Sequence, residues 1–243
     1  FTLRNLIAKW FFMSSLTGRY TGSPESALEF DLASFRDVKS SEEFVRILEN
    51  KCNMAITDDF WRITLPNELA TSSPRSPSLF AYFASLVLLD AKVLFSEQKV
   101  SELLDPTIKG NREPIERHHL FPKNYLKTLN ITDLRETNQI ANFALVEWSD
   151  NLDISDKSPA EYLPTYLSRF SKDEIRKMNH WHALPDNWET LSYEDFLSQR
   201  RELMAIVIEE GYKMLVEKDT SKSEKEIKQN LAEIIRGGES GIV

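Results

Sequence analysis

Four histidines are the side chains best suited to chemistry in this sequence, and they fall into two pairs: the adjacent His118 and His119, and a His-x-His formed by His180 and His182. Imidazole is a common metal ligand and the side chain best placed for proton transfer near neutral pH. The first pair stands in ERHHLFP, directly before a proline. Downstream, IANFALVEW places an amide, Asn142, inside an otherwise apolar stretch, and Asn151 belongs to the polar run that follows. Burying such an amide costs roughly 1–3 kcal/mol unless its hydrogen bonds are met. A buried Asn142 therefore implies a partner, either a backbone loop or a histidine ring. Lys123 and Lys157 flank this region, as phosphate contacts or as solvated surface lysines. In NHWHALPDNW the second pair reads first as structural, with Trp181 packing against helices; a second metal site, or a Zn²⁺ site using all four histidines, is the alternative.

The elements that must position these groups are mostly helices. Ser23-Pro24 puts a cap before a proline at the first helical position, and Ser40 with Glu43 and Ser171 with Glu174 form capping boxes. The apolar run Leu79 to Leu89 predicts a buried helix, preceded by the loop TSSPRSPS. Ser192 to Glu217 predicts the longest helix, with Phe196, Leu203, Ile206, Val207, Met214 and Leu215 toward the core and Arg200, Arg201, Glu209 and Glu210 mostly on other faces. Ser223 and Glu226 start a further short helix ending near Gly237-Gly238, in a charged tail that is either mobile or a partner-binding helix. Only one region breaks the helical pattern. There, Ile115 to Phe121 and Ile140 to Trp148 have strand character, and Ser149 and Asp150 can cap a short helix after the second. The predicted fold is therefore mainly α, with a strand, long loop, strand, helix core embedded in it. It divides into a helical part (1–110), the core (111–160), a second helical part (161–218) and the tail (219–243).

The composition bounds what this fold can do. The chain has 243 residues, 41% of them hydrophobic, with seven glycines and ten prolines, which suits a folded protein and excludes collagen-like or largely disordered chains. The single cysteine, Cys52, excludes a disulfide scaffold or a four-cysteine zinc knuckle and fits a reducing cytosol. The longest apolar run is well short of the roughly 20 residues that cross a bilayer, so no membrane span is expected. The net charge of −8 is spread evenly, with no basic block, and nucleic-acid affinity would have to come from clustering in three dimensions. A first residue of Phe1, with no secretory cleavage signal after it, reads as a piece that begins inside a longer protein.

The ERHHLFP and NFALVEWSDNLDISDKSP segments resemble the two strands and helix of the HNH, or ββα-metal, nucleases. The resemblance implies that His118 is a metal ligand, His119 the general base, Asn142 the central asparagine that positions the loop, and Asn151 the ligand on the helix. Pro159, eight residues after Asn151, repeats a spacing found in the HNH domains of RNA-guided nucleases. Together with LRNLIAKWFFMSSLTGRYTGSPES at Leu3 to Ser26 and YEDFLSQRRELM at Tyr193 to Met204, these segments look like the C-terminal half of GmrSD-type proteins, over about residues 1–215. That group comprises prokaryotic type IV restriction and antiphage nucleases, including BrxU-like enzymes and the effector of phosphorothioate-sensing Ssp systems. It implies a cytoplasmic, metal-dependent DNA endonuclease or nickase acting on duplex DNA. It also implies a ParB-like nucleotide-hydrolysing domain in the same protein, whose DGQQR signature this sequence lacks, and it leaves an oligomer open. Arg19 and Tyr20 in TGRYTGS match a motif of the group and suggest a packing or interdomain role.

On this resemblance the neutral Nε2 or Nδ1 of His119 takes a proton from water, and Mg²⁺ or Mn²⁺, with Ni²⁺ possible, sits on His118 and Asn151. Adjacent residues on an ideal strand face opposite ways, so both histidines reach one site only if the strand twists before Pro122. Two readings from other classes remain: a helical DNA-binding or regulatory module with a degenerate HNH core, and a structural zinc domain.

Overall fold

A computed structural model of the chain describes residues 3–105, 107, 116–147, 154 and 156–238. The described residues are mainly helical, with one two-stranded antiparallel sheet. No described helix is long and apolar enough to cross a membrane. The chain divides into two compact units, Phe1–Ala55 with Tyr212–Val243, and Ile56–Gly211.

The first unit contains helices α1 (Leu3–Leu16), α2 (Pro24–Ala33) and α3 (Ser41–Ala55). Pro24 opens α2, and at the start of α3 Ser40 Oγ accepts from the Glu43 N–H while the Glu43 carboxylate accepts from the Lys39 N–H, one residue before the partner a full capping box would use. The polar centre of the unit is the buried carboxylate of Asp31. It accepts from Arg19 through both Nε and Nη2, from the Tyr20 hydroxyl at 2.8 Å and from Lys51 Nζ at 3.0 Å. Arg19, joined by Lys51 and the Tyr20 hydroxyl, holds this carboxyl well below the usual carboxylate range against the opposing effect of burial. Arg19 and Tyr20 thus join the turn after α1 to α2, a packing role inside one unit.

The second unit holds the chemistry-bearing residues. Its long apolar helix is α4 (Pro77–Leu88), followed by strand β1 (Glu116–His119), helix α5 (Lys123–Thr128), strand β2 (Phe143–Val146), helices α6 (Pro159–Leu167) and α7 (Lys172–Trp181), and the first part of α8 (Tyr193–Gly238). Capping boxes start both α6, through Ser158 and Glu161, and α7, through Ser171 and Glu174. β1 and β2 pair with His118 opposite Ala144 and His119 opposite Phe143, and Leu94 bridges to Val146 in parallel on the other edge of β2. Trp61 is buried in the core of this unit, while Trp148 lies outside the described residues.

α8 departs from its predicted form in two ways. It is continuous through the segment expected to form a separate short helix. Its buried face also differs: Ile206 is 45% exposed, whereas Arg200, expected on another face, is completely buried. Phe196, Arg200, Met204, Val207 and Ile208 lie on one stripe at helical spacing, so Arg200 occupies a core position between two apolar residues. Farther along this helix, a Cβ at Gly211 would lie 2.4 Å from the Ser85 Cβ, so the glycine lets α8 and α4 approach closely.

His182, just past α7, is fully buried and bonds through Nε2 to the Lys92 carbonyl at 2.9 Å. Burial brings its value down to about 4, against the opposing hydrogen bond to Lys92 and with a further push from the charge of Arg200. In the unfolded chain this histidine titrates near its ordinary 6.5, so between pH 6.5 and 4 the unfolded state binds the extra proton. Stability therefore falls as pH drops through that window, by roughly 3 kcal/mol at pH 4 from this residue. Urea unfolding at pH 7 and pH 4.5 should show a shallower acid loss in His182→Gln than in the wild type; parallel losses would refute the assignment.

Candidate active site around His119

β1 carries the histidine pair to the entrance of a tight backbone crossing. His118 is buried, at 3% exposure, with its ring edge-on to Tyr162 of α6 and centroids 6.1 Å apart. His119 is half-buried and packs on Phe143, directly opposite on β2, with ring centroids 4.5 Å apart. Its Nε2 lies 3.0 Å from Asn138 Oδ1. Burial lowers the His119 value from its ordinary 6.5, opposed by the bond to Asn138 and assisted by the charge of Lys123. His119 is accordingly neutral at pH 7, the form that can accept a proton.

The two histidines have different neighbours. The regular pairing through His119 opposite Phe143 sends adjacent side chains to opposite faces of the ladder. The described residues contain no group of three His, Cys, Asp or Glu side chains able to hold a metal ion. Asn151, expected as the second ligand, lies outside the described residues, as do Ser149 and Asp150.

Asn142 sits in a 3₁₀ turn (Ile140–Asn142) that precedes β2, not within the strand predicted from Ile140 to Trp148. The reason is its side chain, which is completely buried and bonds backbone groups from two other segments. Its Oδ1 accepts from the Phe121 N–H at 2.9 Å, and its Nδ2 donates to the Phe121 carbonyl at 3.0 Å and the Thr137 carbonyl at 3.1 Å. The Asn142 carbonyl also accepts from the Leu120 N–H at 2.8 Å. One amide thus fastens both ends of the connection between the strands, two residues after His119 and one residue before Asn138. A backbone loop, not a histidine ring, meets its hydrogen bonds.

Neighbouring elements brace this knot. Tyr162 of α6 donates to the Leu120 carbonyl at 2.8 Å, and Phe121 stacks among Trp188, Tyr193 and Phe196. The loop before α4 supplies the Thr71 carbonyl to the Ile140 N–H at 2.8 Å. Arg200 donates to the Ala141 carbonyl at 2.6 Å and, through Nε and Nη2, to the His182 carbonyl. It therefore holds the 3₁₀ turn from below, a role no apolar pattern announces.

Lys123 is exposed at the first position of α5, close enough to His119 for its charge to act on the ring. Lys157 is exposed as well, next to Asp156, whose carboxylate accepts from Asn124 of α5 at 2.8 Å. That bond draws the Lys157 segment toward the helix that begins with Lys123. The second histidine pair is elsewhere: His180 is exposed and pairs with Glu210 at 2.8 Å, while His182 is the buried structural residue described above. Neither joins the first pair in a described metal-binding group. Asn138 carries no motif or periodic signal in the sequence; it lies in a polar run and meets His119 across 19 positions.

No family model matches the chain, and no solved structure matches it. It is similar to an uncharacterized protein of Methanocaldococcus jannaschii, with 22% identity over 232 residues that cover 94% of this chain and 34% of the archaeal protein. The chain thus spans about a third of the length of that relative.

Proposed function

We propose that this chain is a metal-dependent HNH-type endonuclease that nicks duplex DNA, the effector part of a prokaryotic type IV restriction or antiphage protein of the GmrSD kind. The observation that carries the reading is the placement of a half-buried, neutral His119 at the end of a two-stranded ladder whose connection Asn142 clamps. In a phosphodiester hydrolysis, His119 takes a proton from water as the water oxygen bonds to phosphorus. The phosphorus–O3′ bond breaks, and the departing 3′ oxygen receives a proton from solvent. Lys123 and Lys157 offer positive charge to the phosphates on either side.

By donor type His118 would offer one imidazole, which suits Mn²⁺ or Ni²⁺ and is acceptable to Mg²⁺, and Asn151 an amide oxygen, with water and phosphate oxygens to complete the shell; because the ladder turns His118 to the face opposite His119, the ion serves the same site only with a twist of β1 before Pro122. When bound, such an ion stabilises negative charge on the phosphate and on the leaving oxygen. The test is cleavage of supercoiled plasmid by the chain with Mg²⁺, Mn²⁺, Ni²⁺ or EDTA. Metal-dependent conversion to the nicked form, absent in EDTA, is expected. DNA retention in a gel shift without nicking under any of the metals would instead support a non-catalytic DNA-binding module.

A further inference from the structure

We propose that Asn138 is a positioning residue that fixes the neutral tautomer of His119, with the proton on Nε2 and the lone pair on Nδ1, so that Nδ1 is the atom that takes the proton from water. The base role of this proposal rests on the nuclease reading; the tautomer stands on the geometry alone. The Nε2 of His119 lies 3.0 Å from Asn138 Oδ1, an atom that can only accept. A neutral imidazole has one donor and one acceptor nitrogen, and the hydrogen bond at one nitrogen decides the other. With Nε2 committed to donating, the basic lone pair belongs to Nδ1.

The fold gives Asn138 the means to impose this choice. It ends the single helical turn Leu134–Thr137, where its own N–H donates to the Leu134 carbonyl at 3.1 Å. The preceding carbonyl, that of Thr137, is held by the buried amide of Asn142, which also holds both backbone groups of Phe121. Ring and acceptor are therefore tied to the same anchor, on the β1 side through Phe121 and on the Asn138 side through Thr137. Phe143 closes one face of the ring, so rotation that would present Nδ1 to Asn138 must also break that contact. Asn142 then acts on the histidine through Asn138, besides holding the loop.

The experiment uses the 243-residue chain labelled with ¹⁵N, with imidazole nitrogens read by long-range proton correlation above the titration of the ring, in parallel with plasmid nicking. The wild type is expected to show His119 protonated at Nε2. Asn138→Ala should lose that preference and lower kcat by roughly 10- to 100-fold with KM unchanged. Asn138→Asp, which keeps an acceptor oxygen, should restore both tautomer and rate. A thermal unfolding midpoint for Asn138→Ala close to the wild type separates positioning from unfolding. A wild-type ring protonated at Nδ1, or an Asn138→Ala variant with tautomer and kcat unchanged, overturns the proposal while the nuclease reading stands. Absence of nicking by the wild type overturns the base role of Nδ1 together with the nuclease reading, and the imidazole spectrum then decides the tautomer alone.

Discussion

Replacing His119 by alanine is expected to lower metal-dependent plasmid nicking by roughly 10²- to 10⁴-fold, the usual contribution of a positioned general base, with the fold retained. The two halves of this expectation come from different features of the site. Activity falls because no other histidine is placed to substitute for it: His118 is buried against Tyr162, His182 is enclosed beside Lys92, and His180 is paired with Glu210. The fold survives because the side chain is half-exposed and contributes one hydrogen bond and one ring contact. Losing these costs about 1 kcal/mol, well below the stability of a typical domain. The knot around it does not depend on the ring, since the Asn142 side chain bonds backbone groups of Phe121 and Thr137. The check is a nicking time course beside circular dichroism and a urea midpoint. A His119→Ala chain that nicks at the wild-type rate sinks the role, and one that fails to fold shifts the test to His119→Gln, which keeps the volume without a comparable base.

Much of this arrangement is legible in the sequence because its causes are local. Pro24 and the Ser171–Glu174 box set helix starts through interactions within one turn, and those helices begin where the signals stand, whereas the apolar helix begins at Pro77, inside the segment read as a loop. The short strands around ERHHLF and FALV follow from alternation and aromatic content, and the sheet pairs those segments. What escapes is set across distance. Asn142 reads as a strand residue until its amide is seen to need the Phe121 and Thr137 backbone, which turns the chain into a 3₁₀ bend before β2 begins. Asn138 gives no periodic signal at all, because its significance lies in His119, 19 residues earlier. The register of α8 is misread for a chemical reason: an apolar scan leaves out Arg200, so the stripe is fitted to Ile206, whereas the guanidinium takes a central core position by bonding carbonyls. The two-unit division is equally non-local, since it groups the two ends of the chain.

Arg200→Ala is expected to be the most destabilising single change in the second unit, by about 3–5 kcal/mol, through an emptied core position and carbonyls left without donors. The guanidinium is completely buried, and among the described residues no carboxylate pairs with it. Burial lowers its value, chiefly opposed by the nearby Tyr82 hydroxyl, and an arginine so placed remains charged. Removing a lone buried cation relieves its desolvation, but three charge-assisted bonds go with it, two to the His182 carbonyl and one to the Ala141 carbonyl. Each buried acceptor left unpaired costs roughly 1–3 kcal/mol, and the vacated volume adds a cavity term. Arg200→Lys should recover only part of the loss, because a single ammonium cannot reproduce the fork that joins two backbone segments. The consequence reaches the candidate site, since Ala141 immediately precedes Asn142 and shares its 3₁₀ turn. Amide exchange at Phe121, whose N–H the Asn142 side chain accepts, should therefore accelerate in Arg200→Lys more than exchange at helix positions of the first unit. Urea unfolding of the three forms, read with exchange at that amide, checks both parts. A loss below about 1 kcal/mol for Arg200→Ala would mean that the carbonyls find other donors and that the turn carrying Asn142 is held without the arginine.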